Sequence, residues 1–143
     1  MSACGGPQIN VPGQPKAKKS VAGRDTRYNP SANEMRNWEE IARQQVPKDQ
    51  ASFKGPVTVH LKCFFQRPLT HLKRGGRGLR ATAPVIHFQK PDADNLQKFV
   101  GDCLSGIAYH DDCQITDLRV QKFWSVCNPR TEVTIEYFNC VFA

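Results

Sequence analysis

Residues 90–117 read KPDADNLQKFVGDCLSGIAYHDDCQITD and hold six of the chain's eight aspartates: Asp92, Asp94, Asp102, Asp111, Asp112 and Asp117. Within this stretch Leu96, Phe99, Val100, Cys103, Leu104 and Ile107 recur at i, i+3, i+4, i+7, i+8 and i+11, one apolar stripe of an α-helix. Asp94 followed by Gln97 is an acid-type relative of the capping box, so the spacing predicts a helix from Asp94 to Gly106. Lys98 lies one turn beyond Asp94 on the polar side. Helical side chains lean toward the N-terminus, so its ammonium should reach back to the Asp94 carboxylate. A short turn then brings Asp111-Asp112 to the mouth of a second apolar segment.

On either side the chain alternates strand and helix patterns. Residues 56–66, PVTVHLKCFFQ, put Val57, Val59, Leu61, Cys63 and Phe65 on one face and Thr58, His60, Lys62, Phe64 and Gln66 on the other, a half-buried strand. Residues 67–84 carry Lys73, Arg74, Arg77 and Arg80 around Gly75, Gly76 and Gly78, and read as a long flexible insert. Val85, Ile86 and Phe88 suggest a short strand leading into Lys90-Pro91-Asp92. Near the N-terminus, Ile9 and Val11 precede Pro12-Gly13, and a basic arm over about 12–28 follows with Lys16, Lys18, Lys19, Arg24 and Arg27. Ser31 and Glu34 form a capping box that opens a helix carrying Met35, Trp38, Ile41, Ala42 and Val46, stopped by Pro47. Beyond the acidic turn, Ile115, Leu118, Val120 and Trp124 read as a strand with a bulge near Asp117. Cys127-Asn128-Pro129-Arg130 is a turn, and Val133, Ile135 and Tyr137 alternate in a last strand that should pair with the preceding one as an antiparallel hairpin.

A chain of 143 residues is one domain of ordinary size, so 1–143 is taken as a single unit. No apolar run approaches a membrane span, and MSACGGPQIN lacks the apolar core of a secretory signal. No membrane partner and a cytoplasmic, intracellular location are therefore expected, with a viral or prophage gene as compatible as a cellular one. The six cysteines show no CxxC pair and no zinc-finger spacing, which reads as free thiols. Charge is uneven. Residues 1–91 carry sixteen basic and five acidic residues, a balance of +11; residues 92–143 carry four and eight, a balance of −4. A basic half beside an acidic focus suits a site that cuts a polyanion, although a basic surface also simply favours solubility.

If the acidic turn meets the start of the helix, carboxylates about 4 Å apart repel by roughly 4 kcal/mol at an effective dielectric near 20. The helix N-terminus returns only about 0.3–1 kcal/mol. Protonation or a divalent cation must then settle the cluster, and oxygen-only ligands favour Mg²⁺ or Mn²⁺ over zinc. Plainer roles stay open for each acid: a helix cap for Asp94, a solvated position or a Lys98 partner for Asp102, turn formation for Asp111 and Asp112, and edge protection for Asp117. An EF-hand loop starting at Asp92 would need Gly at its sixth place and Glu at its twelfth, where Gln97 and Cys103 stand.

Lys90-Pro91-Asp92-Ala93-Asp94-Asn95-Leu96-Gln97-Lys98, then Asp102, Leu104, Gly106 and Asp111-Asp112-Cys113-Gln114-Ile115, closely resembles the RusA family of Holliday-junction resolvases. The core of the resemblance covers residues 90–122. It implies a small α/β (α+β) domain, a mixed sheet flanked by helices, and a homodimer that nicks branched DNA with Mg²⁺ (Mn²⁺ as a substitute). It places the metal carboxylates on Asp92, Asp94 and Asp112 and the catalytic lysine on Lys98. Asn95 matches the asparagine after the second acid, and Lys90 stands at a basic position. Lys16, Lys18, Lys19, Lys73, Arg74, Arg77, Arg80, Lys90 and Asn95 are the expected DNA contacts. Two other readings stand beside this one: a less selective nuclease acting on flaps, forks or RNA, and a non-catalytic nucleic-acid-binding module whose acids only cap and turn.

Overall fold

Our computed structural model describes residues 3–19 and 32–139. Its frame is a four-stranded mixed sheet, with β1 (Ala3–Pro12), β2 (Val57–Phe65), β3 (Ile115–Trp124) and β4 (Arg130–Phe138) in the order β1-β4-β2-β3. β4 pairs antiparallel with both β1 and β2, whereas β2 and β3 run parallel. Two helices complete it, α1 (Ala32–Arg43) and α2 (Ala93–Leu104). A parallel pair needs a crossover, and the chain between β2 and β3 supplies one that contains α2. This α+β architecture matches the expected fold class.

The alternation in residues 57–65 is realised: every odd position of β2 is buried and every even one is half-exposed. β4 adds Val133, Ile135 and Tyr137 to the same buried layer. The apolar stripe of α2 closes that layer through Leu96, Phe99, Val100, Cys103 and Leu104. Trp38 of α1 meets Phe99 edge to face at 6.3 Å, so the indole is core. The Tyr137 hydroxyl donates to the carbonyl of Ala108 at 2.6 Å, tying the end of the sheet to the chain just beyond α2. Cys63, Cys103, Cys113 and Cys127 are free thiols. No helix among the described residues is long and apolar enough to cross a membrane.

Four expectations are corrected. β3 and β4 form no hairpin: β2 lies between them, antiparallel to β4 and parallel to β3, so the backbone groups on both of its edges are paired within the sheet. Val85, Ile86 and Phe88 make no strand, only a bridge between Ile86 and Phe123, and all three are exposed. Pro84 and Pro91 bracket the segment and lack the amide hydrogens that would extend a ladder. α2 begins at Ala93 and ends at Leu104, so Asp92, not Asp94, occupies the N-cap position, and its side chain makes no capping bond. The reciprocal capping box sits instead at Asp111–Gln114: the Asp111 carboxylate accepts from the Cys113 amide at 3.3 Å and the Gln114 side-chain oxygen accepts from the Asp111 amide at 2.7 Å. Finally, residues 67–84 are not a slack insert. Leu72 bridges Leu79, and the amides of Lys73 and Arg80 donate to Gly78 and His71. Gly75, Gly76 and Gly78 take the left-handed backbone that these tight turns require.

The bulge foreseen near Asp117 is present. Val57 faces Ile115 while Thr58 faces Asp117, so Thr116 is the extra residue.

Candidate active site

The first turn and a half of α2 exposes Asp92, Asp94 and Lys98 together. The Lys98 ammonium reaches back to the Asp94 carboxylate at 3.7 Å, one turn away, as the lean of helical side chains requires. Both groups are more than half exposed, so this pair orients charge and adds little stability. The cluster opens the N-terminal end of α2, where the helix dipole favours anions.

The backbone before Asp92 is held from the sheet. Residues 85–87 run along the outer edge of β3, with the Trp124 amide donating to Val85 and the His87 amide to Lys122. The Lys122 ammonium then donates to the carbonyls of Gln89 at 2.5 Å and Pro91 at 2.7 Å. Arg67 fixes the insert to the same end of the sheet, donating to Ser125 at 3.1 Å and Pro84 at 2.8 Å. Its sequence position beside Pro68 gives no hint of this buried role. Lys122 did carry a signal: it falls in phase with Val120 and Trp124 on the inward side of β3, an odd place for a lysine.

Asp112 lies elsewhere. Ile115, just after the Asp112–Gln114 turn, faces Val57 at the start of β2, whereas Lys122, which holds Pro91, faces Cys63 near its end. Six residues of β2 separate those levels, about 20 Å. Tyr109 donates to the Gly101 carbonyl at 3.4 Å, late in α2. Burial first, then the carboxylates of Asp112 and Asp102, push the Tyr109 phenol upward, and the Asp112–Gln114 turn lies against α2. Asp94 and Gly101 are about 10 Å apart along the axis. Two ligands of one Mg²⁺ at about 2.1 Å each must lie within about 4 Å of one another. Asp112 therefore does not join Asp92 and Asp94 within one chain, and no three acidic, histidine or cysteine side chains gather as a metal site among the described residues. The carboxylates of Asp111 and Asp112 instead engage each other. Their mutual hydrogen bond leads the causes that lower Asp111 and raise Asp112.

The expected phosphate-binding residues divide. Lys73, Arg74, Arg77 and Lys90 are exposed. Arg80 is exposed too, although its Nε donates to the Leu72 carbonyl at 2.7 Å. Asp102 is an exposed residue of α2, as one of its readings had it, and its partner is Lys18 at 3.0 Å rather than Lys98; Lys19 pairs with Glu34 at 3.1 Å. Asn95 is half-buried, and its carbonyl accepts from the Lys18 amide at 2.9 Å. Lys16 is half-buried beside Glu34 and Trp38 in a cleft. Arg24 and Arg27 lie outside the described residues.

The arrangement offers exposed hard oxygens, an adjacent ammonium and a basic loop on one small domain, which is a chemistry for phosphodiesters. Comparison with known proteins agrees. The family model for endodeoxyribonuclease RusA matches residues 9–136. An uncharacterized protein, YqaN, of Bacillus subtilis (strain 168) is 34% identical over 96 residues, a match covering 66% of this chain and 66% of that protein's own length.

Proposed function

The chain belongs to the RusA endodeoxyribonuclease family, and from that premise we propose that it is a metal-dependent, structure-selective endonuclease that resolves Holliday junctions or related branched DNA by paired nicks. The observation that carries the reading is the joint exposure of Asp92, Asp94 and Lys98 on the opening turns of α2 in a chain matched over nearly its whole length.

The donor set fits a hard cation. Asp92 and Asp94 offer carboxylate oxygens to solvent, and Mg²⁺ commonly takes one or two carboxylates and completes its shell with water and substrate phosphate. Bound there, such an ion would lower the pKa of a water and polarise the scissile phosphate. Lys98, kept close by Asp94, stabilises charge that develops on the phosphate oxygens, an effect felt in the transition state rather than in binding. Lys73, Arg74 and Arg77 contact the DNA backbone without reading its sequence.

Asp112 can serve the same ion only from a second copy. A two-fold dimer that sets the start of one α2 against the Asp111–Gln114 turn of its partner makes two identical composite sites. Two sites related by a two-fold axis suit a four-way junction and would yield symmetric cuts.

The test is incubation with end-labelled four-way junctions and linear duplexes of the same sequence, with Mg²⁺, with Mn²⁺ or with EDTA. Paired nicks in the junction alone, lost with EDTA, support the reading. Equal cutting of the duplex, or cutting in EDTA, contradicts it.

A further inference from the structure

We infer that Lys122 is a positioning residue for the Asp92–Asp94 pair, acting from the sheet through the backbone that precedes α2. The inference rests on the proposed role of those carboxylates. Lys122 is half-buried on the inward side of an edge strand, an unfavourable place for an ammonium unless it is fully engaged. Its head donates to Gln89 and Pro91, the carbonyls that bracket Lys90, and Pro91 immediately precedes Asp92. Its own carbonyl accepts from His87. One residue thus fixes three points of the segment 87–91.

That segment has no other regular support. It is not a strand, and Asp92 makes no side-chain capping bond that would set the start of the helix. Without the ammonium, the exposed Asp92 is joined to the sheet by His87 and Val85 farther back along the chain and, ahead of it, by the buried Leu96, whose amide donates to the Asp92 carbonyl; none of these holds the Gln89–Pro91 backbone directly. Charge-assisted bonds to carbonyls are short and directional, so they set the height and angle at which the first turn of α2 leaves β3. A displacement of one carboxylate by an ångström is enough to spoil shared ligation, and residues that orient ligands typically cost 10–100-fold when lost. Lys122 needs no contact with DNA to have this effect.

The experiment compares wild type, Lys122→Met and Lys122→Arg as full chains. It reads the cleavage rate of a saturated four-way junction against Mg²⁺ concentration, junction affinity in Ca²⁺, and amide hydrogen exchange over residues 92–97. Met keeps the length and removes the donors; Arg keeps the charge and offers five N–H donors. We expect Lys122→Met to slow cleavage by about 10–100-fold, to raise the half-saturating Mg²⁺ concentration, to leave junction affinity within twofold, and to speed exchange in the first turn of α2. Lys122→Arg should recover most of each loss. Wild-type rate and Mg²⁺ dependence in Lys122→Met overturn the inference, as does an Arg variant no better than Met. Weakened junction affinity with an intact saturated rate also overturns it, since Lys122 would then be a DNA contact. If wild type cuts no junction, the nuclease reading fails by itself, and unchanged exchange over 92–97 in Lys122→Met decides against the anchoring role independently.

Discussion

At the scale of single residues, Lys98 and His87 show how position fixes what a charge can do. Lys98 leans on Asp94 from one turn away in an exposed pair, so removing it should leave the fold intact, and in the proposed mechanism it leaves the phosphate without its cation. Lys98→Ala is expected to lower the saturated cleavage rate by about 10²–10³, with circular dichroism and junction affinity little changed. An equal fall in affinity and no fall in rate would make Lys98 a docking residue. His87 is buried, stacked on Phe65 at 3.9 Å and tilted against Trp124 at 4.4 Å. Its Nδ1 has no partner among the described residues. Burial, then the Lys122 ammonium, lowers its pKa from the ordinary 6.5. The unfolded chain therefore binds the proton more readily, so stability is full above pH 6.5 and falls as the pH drops below it. Thermal melts from pH 7.5 to 5 should show this fall, and His87→Phe should flatten it; an equal slope in the variant would place the titrating group elsewhere.

At the scale of elements, the residue patterns with one strong period are the legible ones. The stripe of α2 and the alternation of β2 each name their buried face, and both faces are the core observed. Phe99 lies at the centre of that packing, so Phe99→Ala should cost about 3–5 kcal/mol in urea unfolding. The elements that depart from expectation share a cause: their structure comes from partners distant in sequence. Asp94-Gln97 and Asp111-x-x-Gln114 have equivalent capping patterns, yet only the second closes reciprocally. There the Gln114 amide group donates to Phe53 and Gly55 at 2.8 Å, which fixes its oxygen toward Asp111. The basic insert reads as slack because nothing local announces the Leu72–Leu79 bridge. Its closing bonds involve mostly backbone, so Lys73, Arg74 and Arg77 can all become Ala without unfolding it. That triple variant should reduce the slope of log affinity against log salt by about 0.9 for each DNA phosphate it no longer neutralises. An unchanged slope would return the loop to solvent.

At the scale of the whole molecule, the family was legible because the residues of 90–122 are contiguous, whereas the geometry of the site was not. Sequence order places Asp112 only a short turn beyond α2, but α2 runs back along the sheet and leaves the acids at opposite ends of it. The proposed dimer reconciles the two. Mixing Asp92→Asn with Asp112→Asn chains tests it: random assortment makes about half of the dimers mixed, each with one intact composite site. Nicking should return in the mixture although each variant alone is inactive. If both sites were built within single chains, every site in the mixture would carry a lesion and none would cut. The opening of α2 is the proposed place of chemistry, and the saturated cleavage rate of Asp92→Asn on a four-way junction in Mg²⁺, with affinity measured in Ca²⁺, tests this most directly. A fall of at least about 100-fold with affinity preserved is the predicted result; cutting within a fewfold of wild type would contradict it.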